Sequence, residues 1–142
     1  MNKIDFVNNG QPAINDTNLN QMQTNIENAI NGIIESGSNA NGNYIKYADG
    51  TLIQYGNVTL TTSENRIAGG LTYYSTATTI NFPISFKDSS YSAFSNVLLA
   101  NMNYFCNSYM ASNDASSCNL SFVSTANNET RVIHWMAIGK WK

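Results

Sequence analysis

The chain carries one histidine, His134, and two cysteines, Cys106 and Cys118. These three residues bound the nucleophilic and metal chemistry open to it. His134 sits inside the run Arg131-Val132-Ile133-His134-Trp135-Met136, so a catalytic triad or an imidazole metal site would rest on one side chain in an apolar strand. The cysteines lack the C-x2–4-C spacing of a zinc site, and no metal or cofactor is expected. No Gly-x-Ser-x-Gly elbow is present, and Ala68-Gly69-Gly70 lacks the Gly-Lys-Ser/Thr ending of a phosphate loop. Paired carboxylates for glycan cleavage would have to come from Asp49, Glu64, Asp88, Asp114 and Glu129. Asp49 belongs to a turn and the others are scattered as solvated surface acids are. The residues predict a non-enzyme, with a small polysaccharide depolymerase as an alternative.

Binding chemistry has better material. Asn65-Arg66-Ile67-Ala68-Gly69-Gly70-Leu71-Thr72-Tyr73-Tyr74 joins amide and guanidinium donors to two aromatic faces. Aromatic rings stack on the apolar face of a pyranose, and Arg and Asn donate to its hydroxyls. Asn65, Arg66, Tyr73 and Tyr74 are therefore candidate ligand-binding residues, followed by Asn113 and Asp114 between serines. The plain alternative is a long hairpin loop with two half-buried tyrosines.

Composition points the same way. Only 11% of residues are charged and the net charge is −2, against roughly 25% charged in an average soluble domain. Asn, Ser and Thr make up more than a third of the chain. Such a surface suits neutral, hydroxyl-rich ligands, although an AT-rich coding sequence enriches asparagine as well. Clustered Lys and Arg for nucleic acid are missing. So are a basic amphipathic stretch, an apolar run of the ~18 residues that span a bilayer, and a secretory h-region. No nucleic acid partner and no membrane insertion are expected. In a reducing cytosol Cys106 and Cys118 remain thiols; a 106–118 disulfide across a hairpin is the lesser alternative.

Three segments must position these residues: a leader and helix over 1–36, a flexible linker over 37–43, and an all-β region over 44–142. Asn15 is a good N-cap with a staple between Ile14 and Leu19. Leu19, Met22, Ile26, Ala29 and Ile33 then recur at steps of three and four, predicting a helix over 15–34. A helix so polar needs a partner for its stripe: other copies of itself, or the β domain. In the β region, Tyr44 to Gly56 predicts a hairpin with a two-residue type I′ turn at Asp49-Gly50. That register sets Tyr47 against Leu52, Lys46 against Ile53 and Tyr44 against Tyr55. Further strands are expected over 58–62, 78–82, 92–99, 104–110, 118–124 and the terminus, with loops over 63–74, 100–103, 111–117 and 126–130. The sum is a β-sandwich. Along the last strand Val132, Met136 and Ile138 share one face while Ile133, Trp135 and Trp141 share the other. Both faces are apolar, so this strand is expected between two layers, one of which a second subunit could supply.

The segment Asn9-Gly10-Gln11-Pro12-Ala13-Ile14-Asn15-Asp16-Thr17-Asn18-Leu19-Asn20-Gln21-Met22 and its continuation to Ile30 resembles the short helix of bacteriophage tail-fibre proteins. The hairpin Tyr44-Ile45-Lys46-Tyr47-Ala48-Asp49-Gly50-Thr51-Leu52-Ile53-Gln54-Tyr55-Gly56 is similar to the opening of their C-terminal knob domains. Asn81-Phe82-Pro83-Ile84-Ser85-Phe86 and His134-Trp135-Met136-Ala137-Ile138-Gly139 resemble the first and last strands of H-type lectin-like domains. The resemblance implies a trimeric coiled-coil-like stalk, then a lectin-like antiparallel β-sandwich. It implies a homotrimer in a phage or prophage tail, made in the bacterial cytoplasm, joined to other tail-fibre or baseplate proteins. It further implies binding of a bacterial cell-surface glycan, the alternative being a purely structural trimerisation module. Leu19, Met22, Ile26, Ile33, Tyr44, Tyr55, Trp135 and Trp141 are the expected subunit-interface residues.

Overall fold

The two-faced terminal strand lies inside a sheet, flanked on both edges, with Ile133 and Trp135 in the core and Val132 exposed on the other side. The computed structural model describes residues 16–30, 32–98 and 106–142. Among the described residues one helix, α1 (Asp16–Ile30), precedes nine strands: β1 (Ile33–Asn39), β2 (Gly42–Tyr47), β3 (Thr51–Thr61), β4 (Glu64–Ala68), β5 (Leu71–Asn81), β6 (Ser92–Val97), β7 (Cys106–Ser112), β8 (Ser117–Ser124) and β9 (Thr130–Lys140). They form an antiparallel five-stranded sheet, β1-β2-β3-β9-β6, and an antiparallel four-stranded sheet, β4-β5-β8-β7. The expected mainly-β sandwich is the observed fold.

Period-two alternation sends one set of side chains from each sheet into the shared core. Leu52 on β3, Ile133, Trp135 and Ala137 on β9, and Leu120 and Phe122 on β8 are all buried. Phe82, Phe86 and Tyr91 close the core in edge-on and stacked pairs with ring centroids 4.8–5.0 Å apart. Gln54 is a buried polar group of this layer. The Gln54 amide donates to the Ile84 carbonyl at 2.8 Å and accepts from the Ile84 N–H at 2.9 Å. A side chain thus stands in for a strand, tying the 82–91 crossover to β3 with both polar atoms satisfied.

Three local expectations change. The β2–β3 register pairs Lys46 with Leu52, Ile45 with Ile53 and Tyr44 with Gln54, one residue off the type I′ prediction. Only Gly50 has positive φ, at 88°, whereas a type I′ turn needs it at Asp49 too. The Gly50 N–H instead bonds to the Tyr47 carbonyl at 3.0 Å, which gives a three-residue loop with glycine in the left-handed position. A one-residue slip swaps faces, so Tyr44 and Tyr55 lie on opposite sides of the sheet. Second, the helix ends at Ile30 rather than 34, and Ile33 begins β1. Third, the 37–43 stretch expected as a linker is largely strand and turn, because β1 pairs with β2 from Ile33 to Asn39. Gly37 is there for close approach: a Cβ on it would lie 2.8 Å from the Tyr44 hydroxyl. The leader, the Asn15 cap and the 100–103 loop fall outside the described residues.

The predicted 63–74 loop is mostly the β4–β5 hairpin, turning at Gly69-Gly70. The β7–β8 ladder sets Cys106 opposite Ser124 and Cys118 opposite Ser112. The cysteines are thus separated by roughly 20 Å at ~3.3 Å per residue, and both are free thiols. Burial pushes the Cys118 thiol up to about 11.

The sandwich has a polarity along its strands. The chain leaves α1 beside the β2–β3 turn, where Ile33 pairs with Tyr47 and the Ala48 N–H bonds to the Gly32 carbonyl. β3 then runs roughly 30 Å to Thr61 and Thr62. Buried Thr62 bonds there to Ala126, Asn128 and Glu129. Beyond this level the β4–β5 hairpin projects, with Ile67 75% and Leu71 74% exposed. Its tip lies at the end of the sandwich opposite the helix.

Candidate functional site

On the outer face of the four-stranded sheet, alternation presents Glu64 and Arg66 from β4, Tyr73, Ser75 and Ala77 from β5, Ser121 and Val123 from β8, and Tyr109 from β7. The register brings them together: Arg66 pairs with Tyr73, Glu64 with Ser75, Ser75 with Val123, and Ser121 with both Ala77 and Tyr109. Two clefts open on this face. One, of about 250 Å³, has Glu64, Arg66, Ser75 and Ser121 in its walls. The other, of about 410 Å³, is lined by Ala68, Leu71 and Val123 among others. Tyr73 and Tyr109 line both. Arg66 pairs with Glu64 and its Nε lies 3.4 Å from the Ser75 hydroxyl. The site offers two aromatic rings, several hydroxyls and an already neutralised ion pair.

Of the six candidate ligand-binding residues, the structure brings Arg66 and Tyr73 together on this face. Asn65 and Tyr74 pair with one another and point to the opposite side of the hairpin. Asn113 and Asp114 lie apart, in the β7–β8 turn. Asn113 Nδ2 donates to the Ser117 hydroxyl at 2.9 Å, and Asp114 Oδ1 accepts from the Ser116 N–H and hydroxyl at 2.7 Å each. The sequence reading missed Tyr109, Ser75 and Ser121. Alternation puts Asn107 and Tyr109 on one face of β7, but only strand pairing shows that this face meets β5. The five scattered carboxylates share a pattern. Asp49 holds Thr51, Glu64 holds Arg66, Asp88 holds Ser90, Asp114 holds Ser116, and Glu129 holds Arg131. Each is engaged two residues along its own chain. Among the described residues no group of three His, Cys, Asp or Glu side chains could hold a metal ion.

Residues 46–140 match the sequence model of the family described as tail fiber protein gp53-like, C-terminal. The chain belongs to this tail-fibre family. That family places it in the tail fibre of a phage-type particle. Among solved structures it is similar to an N-truncated R1-type pyocin tail fiber, with a TM-score of 0.50 and 17% identity over 92% of this chain and 98% of that one. It also matches a C-terminal fragment of the P. aeruginosa R1 pyocin fiber, with a TM-score of 0.49, 18% identity, and 92% and 40% of the two chains covered. No curated protein sequence matches it. No described helix is long and apolar enough to cross a membrane.

The tail-fibre domain has a second outer face, on the five-stranded sheet. Ile45, Ile53 and Ile138 form one row across β2, β3 and β9, and Tyr55, Met136 and Phe94 form the next across β3, β9 and β6. Phe94 is 50% exposed and Tyr55 39%. The following row is polar: Asn57, His134 and Asn96. The apolar part is thus the half nearer the helix, and a cleft of about 310 Å³ lies where the two halves meet. On α1, Met22 and Ile26 are exposed, and among the described residues the helix shares no extensive packing with any strand. Of the expected interface residues, Met22, Ile26, Ile33 and Tyr55 are exposed and Leu19 is half-buried. Trp135 lies inside the chain's own core. Tyr44 packs against that core and donates to Glu35 at 2.7 Å. Trp141 donates its indole N–H to the Tyr47 carbonyl at 3.1 Å, with Lys46 and Lys142 over its ring.

Proposed function

We propose that this tail-fibre domain is a receptor-binding tip: a homotrimer that adheres, without enzymatic action, to a glycan on the bacterial cell surface. The observation that carries the reading is the segregation of its two outer faces. An apolar face near the helix calls for a protein partner, since contiguous exposed apolar patches mark interaction surfaces. A polar, tyrosine-bearing face reaches toward the opposite end. Self-association through the Leu19, Met22 and Ile26 stripe and the Ile53, Tyr55 and Met136 rows would leave that polar face outward on every subunit. Three weak sites on one head gain avidity on a repetitive surface. In this reading α1 is the end of a coiled-coil-like stalk leading to other fibre or baseplate proteins, and the sandwich is a lectin-like knob over 44–142.

Two measurements test it. Light scattering should give about three times 15.6 kDa, and a monomer at micromolar concentration would remove the trimer. Fluorescent protein should bind host cells and their extracted surface polysaccharide without lowering its viscosity. Absence of binding would leave a structural module; falling viscosity would make it a depolymerase.

A further inference from the structure

The outer face of the four-stranded sheet has two clefts of different chemistry on either side of the same two rings, and this constrains what could lie there. On one side are the Ser75 and Ser121 hydroxyls with the Glu64–Arg66 pair. These groups both donate and accept, as the vicinal hydroxyls of a pyranose require. On the other side the walls include the Leu71 and Val123 side chains and the Ala68 methyl. Tyr73 and Tyr109 border both clefts. A plain hexose would fill the first cleft, stack on the rings and leave the second in contact with water alone. An acidic sugar would find no free cation, because the guanidinium of Arg66 is held by the Glu64 carboxylate, and approach to that carboxylate is repulsive.

The geometry points to an uncharged pyranose whose substituent ends in a methyl, such as an N-acetyl or a 6-deoxy group. Its hydroxyl edge faces Ser75, Ser121 and the ion pair, its ring lies on Tyr73 and Tyr109, and its methyl enters the cleft between Leu71 and Val123. This assignment rests on the glycan-binding reading and names both the site and the ligand class. Discrimination comes from the apolar cleft: one methyl group in such a pocket changes affinity by about 10-fold or more.

The test is a titration of the full chain, followed by NMR, with methyl glycosides in three sets: parent hexoses of several epimers, their N-acetylamino and 6-deoxy derivatives, and hexuronic acids. Members of the substituted set should bind about tenfold tighter than their parents, and the uronic acids weakest. Shifts should centre on Tyr73 and Tyr109. The N-acetyl and deoxy arms decide which substituent the cleft takes. Val123→Asn should bring the substituted-to-parent affinity ratio toward one. Tyr109→Ala should weaken all of them. Equal affinities for parent and substituted sugars, tightest binding by the acids, or shifts confined to another face would overturn the assignment. Cell binding separates this failure from that of the broader reading. If cells bind the protein while no sugar in the panel perturbs this face, only the assignment falls. If cells do not bind, the receptor-binding reading falls with it.

Discussion

The two outer faces of the sandwich are built on the same pleat and carry opposite chemistry. Across the five-stranded sheet, adjacent rows read Ile45, Ile53, Ile138 and Tyr55, Met136, Phe94. Across the four-stranded sheet they read Glu64, Ser75, Val123 and Ala77, Ser121, Tyr109. The inner faces of the two sheets are both apolar and say only that the sheets pack together. The outer faces differ in what they present to their surroundings. A hydrophobic row exposed on a folded domain stays in water at a cost of about 25 cal/mol per Å², which a second protein surface removes. A row of hydroxyls and a closed ion pair has no such deficit and remains available to a ligand.

The sharpest way to break the contrast uses two neighbours on β9. Trp135 points into the core and is 3% exposed, while Met136 lies on the outer face. Trp135→Ala should destabilise the subunit by about 3–5 kcal/mol, read as a shift in the denaturation midpoint of soluble protein. Met136→Asp should leave the fold of a single subunit within about 1 kcal/mol and yet lower the mass seen by light scattering toward 15.6 kDa. A Met136→Asp protein that keeps its oligomeric mass would mean that the apolar face is not where copies meet.

These adjacent residues also show what the sequence could and could not convey. Alternation over 131–139 made a two-faced strand legible, and with it the sandwich and the need for a second layer. It could not say which face was the core, because Ile133 and Trp135 are no more apolar as a set than Val132, Met136 and Ile138. The same ambiguity placed Tyr44 and Trp135 among the interface residues. Register was the second obstacle. Asp49-Gly50 signals a hairpin, but the choice between a two- and a three-residue loop turns on whether Asp49 takes positive φ, and that choice decides the face of every β2 side chain. Part of the candidate site was visible in Arg66 and Tyr73, which are close in sequence. Tyr109 and Ser121 reach it only through the β5–β8–β7 pairings, contacts that no local pattern encodes.

The polar face is tested by a substitution of smaller structural consequence. Tyr109 is 55% exposed, so Tyr109→Ala should change stability by less than about 1 kcal/mol. If its ring contributes about 1.4 kcal/mol of stacking, cell or sugar binding falls about tenfold. The matching change on the other face, Phe94→Ala, should reduce association and leave single-site sugar affinity unchanged. Should Phe94→Ala instead abolish sugar affinity at one site, the ligand lies between subunits and the division of labour between faces is wrong.

The smallest effect concerns acid. Asp114 is held below the ordinary carboxylate range by the Ser116 hydroxyl and N–H and then by Ser117. Asp49 is lowered by the Thr51 N–H and hydroxyl. A folded-state value below the unfolded one means that the unfolded chain binds more protons in acid. The contribution of each turn is therefore complete at neutral pH. It begins to fade as pH falls through the ordinary aspartate range and is gone below the depressed folded value. Both turns lie at the helix end of the sandwich, Asp49 between β2 and β3 and Asp114 between β7 and β8. Both carboxylates are solvent-exposed, so the loss is slight. Acid should thus loosen the end bearing the apolar face before the end bearing the tyrosine cleft. Hydrogen exchange from pH 6 down to pH 3, corrected for the intrinsic rate, should show lost protection first around 48–51 and 113–117. Asp49→Asn and Asp114→Asn should flatten that response while leaving exchange in β4 and β5 unchanged. Earlier opening of the β4–β5 hairpin would place the acid-sensitive element at the distal tip instead.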